Sequence, residues 1–291
     1  MSQPTAALLS DGRRLHLQHG PCDLIVEAFG NPTEVQAAYA QARKRFGTVL
    51  DELVAELPQL RKATAFEFDG VIARRMAGAV MSHRDCFVTP MASVAGAIAD
   101  EVLDAMIAGR TLERAYVNNG GDIALHLVGG ACFDIGLAAT TNPPTLAGKV
   151  SVVYSERVRG VATSGRHGRS LSLGIADAVT VLAQTAASAD TAATLIANAV
   201  DLPAHPSISR LPAWEIDPDS DLGDRLVTVD VGNLSGEETA TALKAGCSVA
   251  NTMVQNDQII AAALCLNGDV CLLGNMPSLA SHEEERKQLY A

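Results

Sequence analysis

The sequence predicts an α+β fold in which antiparallel strands carry packed helices. Three observations favour this class: strand-like runs meet in pairs around glycine turns, long segments with helical hydrophobic spacing separate these pairs, and no repeated strand–helix–strand pattern is visible. The strongest hairpin signal is Asn267-Gly268, and a second hairpin turn is expected at Gly129-Gly130. Each follows a helix rich in small residues, which is the pattern expected of an internal duplication.

Composition restricts the class of protein. The 291 residues are 48% hydrophobic and 19% charged, which is typical of a globular chain with a sizeable core. A formal net charge of −11 argues against a nucleic-acid partner, because phosphate binding needs a concentrated basic face. No apolar run approaches the roughly 18 residues that a membrane span requires, and no signal peptide is evident. We therefore expect a cytoplasmic protein with a small-molecule ligand and no membrane partner.

The six cysteines form no Cys-x-x-Cys pair and lie in mostly apolar contexts. They are interpreted as buried reduced thiols. The chain is expected to form a single domain over residues 1–291, or two lobes with a boundary near the loop at residues 141–148.

Three helices are expected in the first half of the chain. Thr33 is the predicted N-cap of a long helix that Pro58 ends, and residues 71–80 form a second helix. A third follows Pro90, with small side chains along one face at Ala92, Ala95, Gly96 and Ala99. Such a face lets another backbone or a flat ligand come close, and it is also compatible with a homodimer. Tight packing inside the chain is the alternative.

A polar glycine sequence, Asn-Asn-Gly-Gly-Asp at residues 118–122, ends the next predicted strand. Paired glycines expose backbone N–H groups that suit phosphate or carbonyl oxygens. Asp122 is a candidate acceptor for a ribose hydroxyl or a ring N–H. An ordinary turn is the alternative.

A second polar turn covers residues 163–169, with sequence Thr-Ser-Gly-Arg-His-Gly-Arg. In an acidic protein, Arg166, His167 and Arg169 together predict a local anion-attracting spot. The alternative is a solvated hairpin tip.

The helix after the next strand is expected to be capped by Ser188. Asp190 and Thr194 are four residues apart and so share one face of this helix. Magnesium commonly takes one or two carboxylates and completes its shell with waters and substrate phosphates. The pair is therefore a candidate metal site, although an aspartate near a helix N-terminus is also stabilised by the helix dipole alone.

Several of these motifs together resemble the ApbE-like superfamily of FAD:protein FMN transferases. The motifs are VATSG followed by SADTAAT, NNGGDIAL, and VTPMASVAGAIADEVLDAM. The wording is most similar to a shorter, uncharacterised ApbE-like family, and the resemblance covers roughly residues 65–200.

The resemblance implies a T-fold-like architecture that binds Mg²⁺ and FAD and moves FMN onto a Thr or Ser of an acceptor protein. By matching position, Asp190 and Thr194 would carry the metal. The implied flavin-binding set and its polar neighbours are Thr89, Asn119, Gly120, Gly121, Asp122, Ser164, Gly165 and Arg166.

The sequence departs from the transferases at two places. Asp100 replaces the lysine of their GAIAKG helix, and RHGRSLSLGI replaces a segment that contains His-x-x-Asp-Pro-x-Thr-Gly. Three interpretations follow: a Mg²⁺-dependent flavin or nucleotidyl transferase, a non-catalytic ligand-binding or assembly protein, and a different acid–base chemistry at His83, Asp85 and His167. No feature identifies the acceptor protein.

Overall fold

A computed structural model describes residues 3–64, 67–141, 144–277 and 279–280. The α+β class is confirmed, and every strand pair with a described register is antiparallel. The chain forms two compact units. Unit 1 comprises Met1–Cys132, Val153–Ala162 and Ala183–Thr191, and unit 2 comprises Phe133–Val152, Thr163–Leu182 and Ala192–Ala291.

Unit 1 is a sheet with helices on one face. The strands lie in the order β1 (Thr5–Leu8), β2 (Leu15–His19), β3 (Cys22–Gly30), β4 (Leu112–Asn119), β5 (Asp122–Leu127) and β8 (Gly160–Ser164). The helices are α1 (Pro32–Leu60), α2 (Val71–Val80) and α3 (Val94–Ile107), with 3₁₀ turns at Met81–His83 and Pro90–Ser93. Alternate residues of the strands, such as Leu17, Leu24 and Val117, are buried in one core with Phe46 and Met106 of the helices.

Unit 2 contains three sheets. One has the order β9 (Ala178–Ala183), β12 (Ala261–Leu266) and β13 (Asp269–Gly274), and the helix α6 (Gly236–Gln255) packs on β12 and β13. The second has the order β14 (Leu279–Ala280), β7 (Pro144–Val153) and β6 (Cys132–Thr141). The third pairs β10 (Ile208–Pro212) with β11 (Leu226–Val231), joined through α5 (Ala213–Ile216). The helix α4 (Ala186–Ala199) begins in unit 1 and ends in unit 2.

One of the two predicted hairpins is confirmed and the other is wrong. Leu266 pairs with Asp269 across Asn267-Gly268, as expected. Strand β5, however, pairs with β4 and β8, whereas β6 lies in another sheet. The tight turn is Gly120-Gly121, where both φ angles are positive at 67° and 115°. Because both glycine pairs can adopt such angles, local sequence alone did not distinguish them.

Each unit nevertheless contains a helix followed by a hairpin on which it packs, α3 with β4–β5 and α6 with β12–β13. An internal duplication stays a prediction.

Two helix starts differ from their predictions because neighbouring residues supply the caps. Helix α1 begins at Pro32, and the Asn31 side chain accepts the Thr33 N–H at 2.9 Å. Helix α4 begins at Ala186, and the Thr185 hydroxyl accepts the Ser188 N–H at 3.1 Å.

The end of α1 and the loop predicted at residues 141–148 also differ from their predictions. Pro58 lies inside α1, which ends at Leu60, because a proline removes one backbone donor but leaves the following residues free to complete a turn. In the predicted loop 141–148, residues 142 and 143 lie outside the described part of the chain, and residues 144–148 belong to β7. The single-domain and two-lobe interpretations stay predictions.

The cysteines correct a further expectation. Cys22 and Cys265 are buried, but Cys86 and Cys132 are exposed, and the Sγ atom of Cys247 on α6 lies against that of Cys271 on β13. Spacing could not predict this pair, because the two residues are brought together by the packing of α6 on β13. Across the described residues, every helix is too short or too polar to cross a membrane.

Candidate functional site

The predicted site residues are divided between the two units. Unit 1 holds Thr89, Asn119, Gly120, Gly121, Asp122 and Asp190, and unit 2 holds Ser164, Gly165, Arg166 and Thr194. The residues of unit 1 converge on the first turn of α3.

Asp190, near the start of α4, contacts this first turn directly. Its Oδ2 accepts the Gly96 N–H at 3.0 Å. Ser93, which precedes α3, makes no side-chain cap hydrogen bond. Because the first N–H groups of a helix have no partner within it, the Asp190 carboxylate acts as a cap for α3.

Gly96 allows this approach. A Cβ on Gly96 would lie 2.3 Å from the Ala186 carbonyl oxygen, so no larger residue fits without movement. The small-residue face that the sequence predicted is therefore occupied at Gly96 by the backbone at the start of α4.

Asp100 makes the reverse contact, from α3 to α4. Its two carboxylate oxygens accept the N–H groups of Ala186 at 3.0 Å and Ala187 at 2.9 Å. Burial raises the pKa of Asp100 to about 6, while these two hydrogen bonds oppose the rise. Asp100 stands where the transferases have a lysine, and its charge was expected beside the nucleotide. Its carboxylate is instead hydrogen-bonded to the backbone of α4.

The Gly120-Gly121 turn is held beside α3 by its neighbours. The buried Asn119 side chain donates from Nδ2 to the Ala95 carbonyl oxygen at 3.1 Å. The Gly121 N–H donates to Asn118 Oδ1 at 2.8 Å. Asp122 pairs with Asn119 across the turn, so it begins β5 at the same end of the sheet.

Two carboxylates of this region, Asp122 and Asp190, lie close enough to interact. Burial raises the pKa of Asp190 well above its usual range, the negative charge of Asp122 raises it further, and the N–H groups of Gly96 and Ala95 lower it. A cation between the carboxylates would replace this repulsion with attraction.

The donor set fits Mg²⁺ in a particular way. Aspartate oxygens are the hard ligands that Mg²⁺ prefers. No group of three or more His, Cys, Asp or Glu in the described ranges is arranged to hold a metal. Asp122 and Asp190 supply two carboxylates and not an all-protein cage, so an ion held there would complete its shell with water and a phosphate.

Thr89 has a local structural role. It is buried, and its Oγ1 accepts the Met91 N–H at 3.2 Å, which caps the 3₁₀ turn Pro90–Ser93 before α3. His83, from the acid–base interpretation, lies on the preceding 3₁₀ turn, where burial lowers its pKa. His167 belongs to unit 2.

In unit 2, Arg166 is held by a residue that was not among the predicted ones. Asp177 Oδ1 accepts hydrogen bonds from Arg166 Nε at 3.0 Å and Nη2 at 2.8 Å, and Asp177 Oδ2 accepts the Asn267 N–H at 2.6 Å. The signal for Asp177 was a lone acid in the apolar run GIADAVTVLA. A Cβ on Gly165 would lie 2.4 Å from the Asp177 carbonyl oxygen. Arg166, which was expected to attract an anion, is therefore already paired with Asp177.

Ser164 ends β8, and Thr194 lies on α4 four residues after Asp190, as its spacing predicted. Both side chains are half-buried.

The class of protein is ApbE-like, and the expected resemblance is confirmed by the match of the chain to a family model. A family model described as AbpE bacteria matches residues 6–272, and the chain belongs to that family.

Curated relatives with similar sequence carry the name UPF0280 protein. The relative from Methanosphaerula palustris is 44% identical over 133 residues, which cover 44% of this chain and 52% of the relative. The relative from Methanopyrus kandleri is 38% identical over 174 residues, which cover 57% of this chain and 66% of the relative. The chain spans about half the length of the first of these.

Two solved structures with a similar outline are flavin transferases. A mutant of flavin transferase ApbE from Vibrio cholerae has a TM-score of 0.47 at 12% identity, over 94% of this chain and 97% of that chain. Apo flavinyl transferase ApbE from Pseudomonas stutzeri has a TM-score of 0.46 at 12% identity, over 96% of each chain.

Proposed function

We propose that this protein binds a flavin dinucleotide such as FAD together with Mg²⁺ at the Gly120-Gly121 turn. The observation that carries the proposal is the effect of Asp122 on Asp190 beside this turn, since a buried carboxylate whose pKa is raised by a second carboxylate forms a ready cation site with it. Membership of an ApbE-like family supports flavin as the ligand class.

Each residue of the site has a distinct part in this proposal. Asp122 and Asp190 supply metal ligands, and the Gly96 N–H fixes the orientation of the Asp190 carboxylate. The glycine turn, with no Cβ, leaves room for a phosphate to approach the backbone. Magnesium would neutralise the pyrophosphate charge. Thr89, Asn119, Ser164, Gly165 and Arg166 stay predicted members of the ligand-binding set, and Thr194 stays a predicted metal ligand beside Asp190.

In the transferase version, the hydroxyl oxygen of an acceptor Ser or Thr forms a bond to the FMN phosphorus of FAD. The pyrophosphate P–O bond then breaks, AMP leaves, and the hydroxyl proton is released. Water in place of the acceptor would yield free FMN and AMP, so AMP release reports on the chemistry without knowledge of the acceptor.

The test measures FAD binding by fluorescence and AMP release by chromatography, with and without Mg²⁺. Asp190→Asn and Asp122→Asn remove a ligand charge while keeping side-chain size, and the amide oxygen introduced at position 190 can still accept the Gly96 N–H. Asp51→Asn, at an exposed position of α1, is the matched control. We expect Mg²⁺-dependent binding in the native and control proteins and its loss in both site variants. Equal binding in all four proteins would refute the proposal.

A second candidate is binding without transfer. It is favoured by the segment between β8 and β9, where the His-x-x-Asp-Pro-x-Thr-Gly sequence is absent and Arg166 is paired with Asp177. Retention of FAD without AMP release, with or without candidate acceptors, would support this version. A cytoplasmic location and a homodimer stay predictions.

A further inference from the structure

An open cavity lies on the face of the unit 1 sheet that points away from α3. It has a volume of about 410 Å³, and its lining includes His16, Asp23, Asn118 and the Gly120-Gly121 turn. Small-molecule pockets occupy roughly 300–1,000 Å³, so a cavity of this size can hold a side chain of another molecule. The glycine turn of the proposed ligand site is therefore also a wall of this second space.

The strand register places the cavity opposite the candidate metal ligands. His16 pairs with Ile25, and Ile25 pairs with Asn118, so these three side chains share one face of the sheet. Successive residues of a strand point to opposite faces. Asn119 accordingly points toward α3, where its side chain hydrogen-bonds the helix backbone, and its cross-strand partner Asp122 lies on the same side. The turn thus separates the carboxylate side from the cavity side.

His16 and Asp23 form a hydrogen-bonded pair in the cavity. His16 Nε2 lies 2.6 Å from Asp23 Oδ1. Because a carboxylate can only accept hydrogen bonds, Nε2 carries the hydrogen of the neutral imidazole, and Nδ1 keeps its lone pair. The Asp23 carboxylate fixes the orientation of the ring and would stabilise the imidazolium after proton uptake. The His16 side chain is 35% exposed, so another molecule can reach it.

We propose that His16 is the general base of the transfer reaction and that this cavity receives the acceptor hydroxyl. The inference rests on the proposed function, because it requires the FAD phosphates at the glycine turn. His16 Nδ1 takes the hydroxyl proton as the hydroxyl oxygen bonds to the FMN phosphorus. The pyrophosphate P–O bond breaks, its electron pair leaves with AMP, and the imidazolium then releases the proton to water. Asp23 is a positioning residue, since it acts through His16.

The two faces of the turn suit the two sides of such a displacement. The attacking and leaving oxygens lie roughly in line on opposite sides of the phosphorus. The carboxylates Asp122 and Asp190 would hold Mg²⁺ and the pyrophosphate on the α3 side. The acceptor can then enter from the cavity without displacing the metal, and the base waits on the side from which the acceptor comes.

Labelling with diethyl pyrocarbonate tests the position of His16 without measuring turnover. The reagent acylates an unprotonated imidazole nitrogen, and peptide mass spectrometry reads each histidine separately. We expect His16 to be labelled in the free protein and to be protected when FAD and Mg²⁺ are bound, with binding followed by flavin fluorescence. A His16 that stays unlabelled in the free protein, or that is labelled equally with FAD bound, would overturn the inference.

His16→Ala tests the chemistry. We expect AMP release to fall about a hundredfold while Mg²⁺-dependent FAD binding persists. Added imidazole should restore part of the rate, which a merely structural role of His16 would not allow. Asp23→Asn should slow AMP release less and gain nothing from imidazole. His205→Ala is the matched control, because His205 also pairs with a carboxylate, that of Glu238 at 2.8 Å, and does not line the cavity.

The outcomes separate this inference from the proposed function. AMP release at the native rate in His16→Ala, or a slow rate that imidazole does not restore, would overturn the assignment of His16 and leave FAD binding intact. A native protein that binds FAD but releases no AMP would do the same. Failure of the native protein to bind FAD would refute the proposed function itself, and this inference with it.

Discussion

Asp100 and Asp190 cap one another's helices. The Asp100 carboxylate on α3 accepts the first N–H groups of α4, and the Asp190 carboxylate on α4 accepts the Gly96 N–H in the first turn of α3. The exchange fixes the crossing of the two helix starts and orients Asp190. The contacts of Asp100 with α4 thereby help to position Asp190, a candidate metal ligand, although Asp100 is not itself proposed to bind the metal.

Removal of the Asp100 carboxylate should destabilise the protein. Asp100→Ala leaves the N–H groups of Ala186 and Ala187 buried without partners, which costs about 3 kcal/mol of unfolding free energy. Asp100→Asn retains one acceptor oxygen and should lose less. Urea unfolding of both variants measures the difference. Native stability in Asp100→Ala would show that the exchange is dispensable.

The raised pKa of Asp100 predicts a particular pH dependence. Because burial raises this pKa to about 6, the folded state favours the protonated acid more than the unfolded state does. The contribution to stability is present below the ordinary pKa of aspartate and is lost as pH rises through about 6. It amounts to at most about 3 kcal/mol.

The difference in unfolding free energy between the native protein and Asp100→Asn, measured from pH 4 to pH 8, isolates this contribution. We expect the native protein to lose stability relative to the variant as pH rises. A difference that is constant with pH would contradict the assignment.

Asp122→Asn should relieve the repulsion at Asp190. Without Mg²⁺ at pH 8, the variant is expected to be more stable than the native protein, because the pKa of Asp190 falls when the neighbouring charge is removed. Mg²⁺ should raise the melting temperature of the native protein and leave that of the variant unchanged. Calorimetry with and without EDTA measures both effects. Equal stabilisation of the two proteins by Mg²⁺ would place the ion elsewhere.

Gly96→Ala tests the close approach of α3 and α4. The added Cβ would lie 2.3 Å from the Ala186 carbonyl oxygen, so the helices must separate at a cost of about 2 kcal/mol. Gly78→Ala is the control, because Gly78 is exposed in α2 with open space around it and the change should stabilise by about 0.5 to 1 kcal/mol. We expect thermal unfolding to show a lower melting temperature for Gly96→Ala and a higher one for Gly78→Ala. A Gly96→Ala variant more stable than the native protein would exclude the close approach of Gly96 to the Ala186 carbonyl oxygen.

Much of the local structure followed from sequence. Hydrophobic spacing predicted α2, the helix after Pro90 and most strands, and Asn267-Gly268 predicted its hairpin. Predictions at element ends were weaker. Thr33 and Ser188 were good N-caps by type, but Asn31 and Thr185 stand earlier in the chain, at the position just before each helix, and serve instead.

The sequence by itself determined the α+β class, the family motifs and the shared helix face of Asp190 and Thr194, because these depend on residues within one or two turns of each other. Only the tertiary structure decided which glycine pair turns a hairpin, that Asp177 holds Arg166, and that Asp100 caps α4. Asp100 and Ala186 are 86 residues apart in the chain. Their contact arises because buried N–H groups must find acceptors wherever packing brings them, and spacing along the sequence does not record that requirement.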